Sequence, residues 1–175
     1  MTDQYQEQNS WKDKQKGIGC YFCLPRPANN EYRIEIASLS ISTLYLFRDQ
    51  RFRGYCLLIF DPRHATSLEE LSDQEYSAFM HDLRIAAQAI RRALSPDHMN
   101  YECLGNSTPH LHWHIVPRYK HDPRWGQPIW EGWQRNEFNL NRVTLTDEAY
   151  AEIIQEIRLA LEIKSDEVRS GYHRS

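Results

Sequence analysis

No stretch of this 175-residue chain approaches the roughly 18 consecutive apolar residues of a membrane-spanning helix, and mean hydropathy is -0.72; a helical membrane span is excluded. An excess of basic charge is also missing. Lys and Arg number 21 against 24 Asp and Glu, the net charge is -3 and the sequence pI is about 6.2. A general nucleic-acid coat is basic, so no general nucleic-acid binding is expected and phosphate contacts have to be local. Cysteines number only four, too few to suggest a secreted disulfide scaffold. Met1 to Asn9 lacks the basic start and apolar core of an export signal, so the expectation is a cytoplasmic protein with reduced thiols. Internal repeats and low-complexity linkers are absent, which argues against a solenoid.

What the chain has in excess is histidine: eight, with three inside five residues. Its length suits one domain with a modest extension, and 41% hydrophobic and 26% charged residues are ordinary globular values. Residues 1–16 are polar and expected to be loose, with Trp11 a candidate to dock on the body. Tyr32, Ile34 and Ile36 alternate with polar neighbours, as do Ile41, Thr43, Tyr45 and Phe47. Asp49 to Gly54 breaks the run, and Tyr55 to Phe60 reads as a short central strand. Ser72 and Glu75 form a capping box ahead of an apolar stripe through Phe79, Leu83, Ile90 and Leu94, predicting a helix over about 73–94. Strands near 100–104 and 110–117 follow, then an arm over 119–141 rich in Trp, Pro, Gly and Asn. Thr146 caps a second predicted helix over about 147–163, and Ser165 onward reads as a polar tail. Strands with two separated helices predict an α+β fold with a mainly antiparallel sheet. The expected organisation is a flexible segment over 1–16, a main domain over 17–135, and a C-terminal helix and tail over 136–175 packed on the same domain.

The informative stretch runs from Gly105 to Tyr119: Gly-Asn-Ser-Thr-Pro-His-Leu-His-Trp-His-Ile-Val-Pro-Arg-Tyr. On a strand, alternate side chains share a face. His110, His112 and His114 are therefore expected on one face, with Leu111, Trp113 and Ile115 turned to the core. Three solvated histidines are the plainest alternative. Spacing alone leaves two chemical readings: a metal site, or one nucleophilic imidazole oriented by its neighbours. The surroundings favour the second. Carboxylates are missing from the immediate flanks, whereas a catalytic hard-metal site usually wants them. The preceding loop offers Asn106, Ser107 and Thr108 as donors for phosphate oxygens, and Arg118, Lys120 and Arg124 follow.

Asn106 to Tyr119 resembles the signature of the histidine triad (HIT) superfamily, His-φ-His-φ-His-φ-φ, in the form ending Pro-Arg-Tyr; the likeness is to small bacterial HIT proteins. It extends more weakly from Cys20 to about Trp130. The resemblance implies a HIT-like fold, with a mainly antiparallel five-stranded sheet, a long helix packed on it and, usually, a homodimer. It implies a hydrolase or nucleotidyl transferase acting on a nucleotide or dinucleotide. His112 would attack the α-phosphorus, a carbonyl near His110 would fix its tautomer, and His114, Asn106 and Ser107 would contact the phosphate or leaving group. Imidazole suits the task because much of it is neutral near pH 7. Asp49 falls where the family binds ribose hydroxyls, although a turn-forming Asp is as good a reading. Arg118 is a further candidate for nucleotide contact. Many relatives carry an extra histidine at the start of the next strand; here that place holds Tyr55 or Cys56. Leu44, Leu46, Phe47 and Leu58 are candidates for a base pocket and equally for plain core.

Cys20 and Cys23 are spaced as in zinc knuckles and redox motifs; Pro25 and Pro27 disfavour the helix a redox pair usually opens. In some bacterial HIT proteins two histidines complete a zinc site, and by position these are His64 and His110. The resemblance thus implies a structural zinc held by Cys20, Cys23, His64 and His110, with no organic cofactor; two reduced surface cysteines and a surface His64 are the alternative. His81, His98, His121 and His173 have no motif around them. Trp113, Trp125, Trp130 and Trp133 are read as anchors for the arm or a dimer contact, with base stacking the alternative. Two rival functions remain open at this level: a metal-dependent hydrolase using the three histidines as ligands, and a nucleotide-binding regulatory module with little turnover.

Overall fold

The computed structural model describes residues 11–23, 25–122, 124–130 and 142–171, with side chains of the last helix described as far as residue 162. Among the described residues five strands form one antiparallel sheet in the order β1-β2-β3-β5-β4. They are β1 (Arg33–Ser38), β2 (Ser42–Phe47), β3 (Cys56–Phe60), β4 (His98–Glu102) and β5 (His112–Arg118). Among the described residues three α-helices accompany them: α1 (Trp11–Gln15), α2 (Asp73–Leu94) and α3 (Asp147–Gly171). This is the HIT-like α+β arrangement that the motif implied.

Strand alternation sorts the side chains into two layers. Leu44, Leu46, Cys56, Leu58, Phe60 and Ile115 face the helices and pack with Phe79, Leu83, Ile90 and Leu94 of α2. Leu44, Leu46 and Leu58 are therefore core rather than base-pocket walls. Tyr45, Leu57, Ile59 and Val116 face the other way and form a second cluster with Phe22, Phe52, Tyr55 and Ile129; Phe47 packs against it. The register puts Leu57 opposite His114 and Ile59 opposite His112, so the two histidines stand on this second face.

Helix α2 starts with both bonds of the capping box between Ser72 and Glu75, and ends where Ser95 takes a left-handed conformation ahead of Pro96. Its Asp82 is buried and accepts from Ser40 N, Ile41 N and Ser42 Oγ, which ties the β1–β2 turn to the helix. Tyr150, Ile153, Ile154, Ile157 and Ala160 of α3 join the same core. The helical backbone continues to Gly171, past the polar tail predicted from Ser165; neither Pro nor Gly interrupts it before that residue. Trp11 is 48% exposed and does not dock, a correction to the expectation. Residues 1–10, the arm residues 131–141 with Trp133, and His173 lie outside the described residues.

Candidate active site and metal cluster

His112 and His114 project from β5 as alternation requires. His110 precedes the strand, yet its backbone orients the next imidazole: His112 Nδ1 lies 2.6 Å from the His110 carbonyl oxygen. A carbonyl can only accept, so Nδ1 donates and, in the neutral ring, Nε2 carries the lone pair. That Nε2 stands 3.0 Å from His114 Nε2, and the Tyr55 hydroxyl stands 2.7 Å from His114 Nδ1. Burial lowers the pKa of all three histidines: His110 to about 4, His114 to about 3, and His112 below its ordinary value against the opposing pull of the His110 carbonyl. The ladder is therefore neutral around pH 7, the state in which an imidazole is nucleophilic.

Aromatic rings frame it. Phe22 meets His112 edge to face at 4.9 Å between centroids, and Trp130 meets His114 at 5.2 Å. The Trp130 indole donates to the Glu102 carboxylate. Glu102 is the cross-strand partner of His114, and burial raises its pKa. Beyond Glu102, on the same face, lies an open groove of about 600 Å³ lined by Asn100, Glu102, Arg118, Lys120, Trp125 and Gln127.

Other expected site residues fall in different settings. Asn106 and Ser107 are exposed on the loop between β4 and β5. Asp49 is buried and pairs with Arg51 at 2.6 Å while accepting from Val143 N. Arg118 is 3% exposed and spends its guanidinium on Asn100 of β4 and on the arm: Asp122 and the Gln127 and Arg124 carbonyls. It secures the groove wall rather than presenting a free cation. Trp113 packs on the helix-side core, and His81, His98 and His121 are exposed. Phe22 and Trp130 are the neighbours of the ladder that periodicity did not assign. Both come from irregular segments, where no pattern signals a contact to a distant strand.

On the other side of His110, four residues converge. Donor atoms of Cys20, Cys23, His64 and His110 all lie within 4.8 Å of one another. Cys20 Sγ is 3.4 Å from His110 Nδ1, and Cys23 Sγ is 3.6 Å from His64 Nδ1 and 3.7 Å from His110 Nδ1. A tetrahedral zinc ion with ordinary bond lengths separates sulfur and nitrogen ligands by about 3.5 Å. Each imidazole is turned to offer Nδ1, because its Nε2 faces a carbonyl: Phe60 O at 2.7 Å for His110 and Gln15 O at 3.1 Å for His64. Gly17, at φ +81°, lets the chain pass so near that a Cβ there would lie 2.9 Å from the His64 ring. Burial and neighbouring Cys20 push the Cys23 thiol up to about 11, an unfavourable setting for a thiolate unless a cation joins it. The donor set fits a closed four-coordinate metal.

Residues 41–121 match the family model described as HIT domain. A curated relative, the asymmetrical bis(5'-nucleosyl)-tetraphosphatase of Schizosaccharomyces pombe, is 29% identical over 101 residues, which is 54% of this chain. The matched region spans 56% of that relative's length. Among solved structures, a histidine triad protein of Bradyrhizobium japonicum superposes with a TM-score of 0.67 at 22% identity, covering 75% of this chain and 92% of that one. A Zn-bound histidine triad family protein of Mycobacterium smegmatis superposes with a TM-score of 0.53 at 20% identity, covering 75% and 86%. At those identities the two structures establish the shared fold.

Proposed function

We propose that this chain, whose residues 41–121 match the HIT domain model, cleaves or transfers at the α-phosphate of a nucleoside phosphate derivative through a covalent nucleotidyl-His112. Dinucleoside polyphosphates and nucleoside phosphoramidates are the substrate classes. The observation that carries the reading is the 2.6 Å bond from His112 Nδ1 to the His110 carbonyl, which leaves Nε2 as the attacking atom. Nε2 forms a bond to the α-phosphorus, and the bond from phosphorus to the leaving atom breaks, oxygen in a polyphosphate and nitrogen in a phosphoramidate. The leaving group departs with that electron pair and takes up a proton. Water or another acceptor then attacks phosphorus and gives up a proton to solvent, the P–N bond between phosphorus and His112 breaks, and its electron pair returns to Nε2. Charge developing on the phosphoryl oxygens is met by donors already in place, in general the largest contribution to such a reaction. His114, Asn106 and Ser107 are the candidates here, and the open groove beside Glu102 offers room for a leaving group.

Cys20, Cys23, His64 and His110 are the residues that would hold zinc. A closed Cys2His2 site supplies structural cross-linking, joining the segment around Cys20 to the residue that orients His112. This division of labour disfavours a hydrolase with all three histidines on one metal, because His110 Nδ1 faces the cysteines while His112 Nε2 faces His114. Homodimerisation is part of the reading, since β4 is an edge strand able to pair with a second copy.

The test is incubation with a panel of dinucleoside polyphosphates and phosphoramidates, followed by intact mass and peptide mapping. A nucleotide adduct on His112 is expected. Turnover by His112→Ala at the wild-type rate would end the proposal.

A further inference from the structure

Tyr55 lies between the turn at Gly54 and β3, on the face that carries the histidines, and is 3% exposed. Its hydroxyl contacts His114 Nδ1 at 2.7 Å. The direction of that bond follows from a chain of donors and acceptors that begins at a carbonyl. His110 O can only accept, so His112 Nδ1 donates to it. A nucleophilic Nε2 on His112 bears a lone pair, and here the inference rests on the function proposed above. That lone pair faces His114 Nε2 at 3.0 Å, so His114 donates from Nε2. A neutral imidazole has one N–H. His114 Nδ1 is therefore bare, and the Tyr55 hydroxyl donates to it.

We propose that Tyr55 is a positioning residue: its hydroxyl holds His114 in the Nε2–H tautomer and fixes the ring, so that a donor faces the phosphoryl group as His112 attacks. The opposite tautomer would set two lone pairs against each other at 3.0 Å and offer the phosphate no hydrogen. Trp130 flanks the ring, and Leu57 and Glu102 are its cross-strand neighbours. A phenol suits holding rather than relaying. Burial, with the Glu102 and Asp49 carboxylates nearby, raises the Tyr55 pKa far above the ordinary phenol value, so it keeps its proton throughout the cycle.

The experiment uses the full chain labelled with 15N-histidine, read by long-range proton–nitrogen correlation spectra, with a dinucleoside tetraphosphate as the kinetic probe. Wild-type His114 is expected protonated at Nε2 and bare at Nδ1. Tyr55→Phe removes only the hydroxyl; it is expected to mix in the other tautomer and to lower kcat by about tenfold, the worth of one hydrogen bond, with KM little changed. Wild-type His114 protonated at Nδ1 overturns the proposal without recourse to any variant. Unchanged His114 nitrogen shifts and unchanged kcat in Tyr55→Phe also overturn it. A tautomer that shifts in Tyr55→Phe, in a protein that forms no His112 adduct, supports the tautomer assignment and overturns the nucleophile instead.

Discussion

Phe22 sets the edge of its ring against the His112 imidazole, with centroids 4.9 Å apart and planes at 78°. Phe22 lies between Cys20 and Cys23, so the segment that supplies two candidate metal ligands also packs on the candidate nucleophile. His110 makes the same link from the other side, with its ring in the cluster and its carbonyl on His112.

Removing a thiol tests this coupling. Cys20→Ser is expected to carry less than one equivalent of zinc by elemental analysis, while the wild type carries one. Hydrogen exchange over residues 17–30 should rise, and kcat should fall because His112 loses its packing. Wild-type protein purified without chelator and free of zinc would defeat the metal assignment.

Metal removal separates two chemistries. If zinc is structural, chelator-stripped protein that stays folded still forms the His112 adduct, more slowly. Complete loss of adduct and turnover in folded apoprotein, restored by metal, would instead favour metal-dependent hydrolysis.

His112→Asn is expected to reduce turnover by more than about 10³-fold while AMP affinity by calorimetry changes little. The binding contacts remain and the attacking nitrogen is gone. A regulatory module with little turnover would show no cellular effect of this change.

Gly54→Ala should destabilise the protein by about 1–3 kcal/mol in urea unfolding. The residue sits at φ +81°, and a Cβ there would lie 2.2 Å from Leu94 Cδ1 and 3.2 Å from Pro117 Cγ. Because Tyr55 follows directly, the His114 nitrogen shifts should move as well.

Asp82→Ala should cost about 2–4 kcal/mol, since Ser40 N, Ile41 N and Ser42 Oγ lose their buried acceptor. The carboxylate lies on the helix side of the sheet, so kcat of the folded fraction is expected to stay near wild type.

Much of this was legible in one dimension. The capping box at Ser72 and the stripe through Leu94 specify α2 because local hydrogen bonds and the 3.6-residue period act between near neighbours. The His-x-His alternation put His112 and His114 on one face for the same local reason. Alternation alone did not say which strand face meets the helices. That left Leu44, Leu46 and Leu58 ambiguous until α2 and α3 covered them. Nor did local pattern commit Arg118 to the arm or bring Trp130 onto His114.

By itself the sequence determined the elements, their alternation and the histidine ladder, all set by interactions between residues a few positions apart. Only the tertiary structure decided which atom of His64, His110 and His114 is free. That depends on Phe60 O, Gln15 O and the Tyr55 hydroxyl, groups 49 to 59 positions away along the chain that folding alone brings within hydrogen-bond reach.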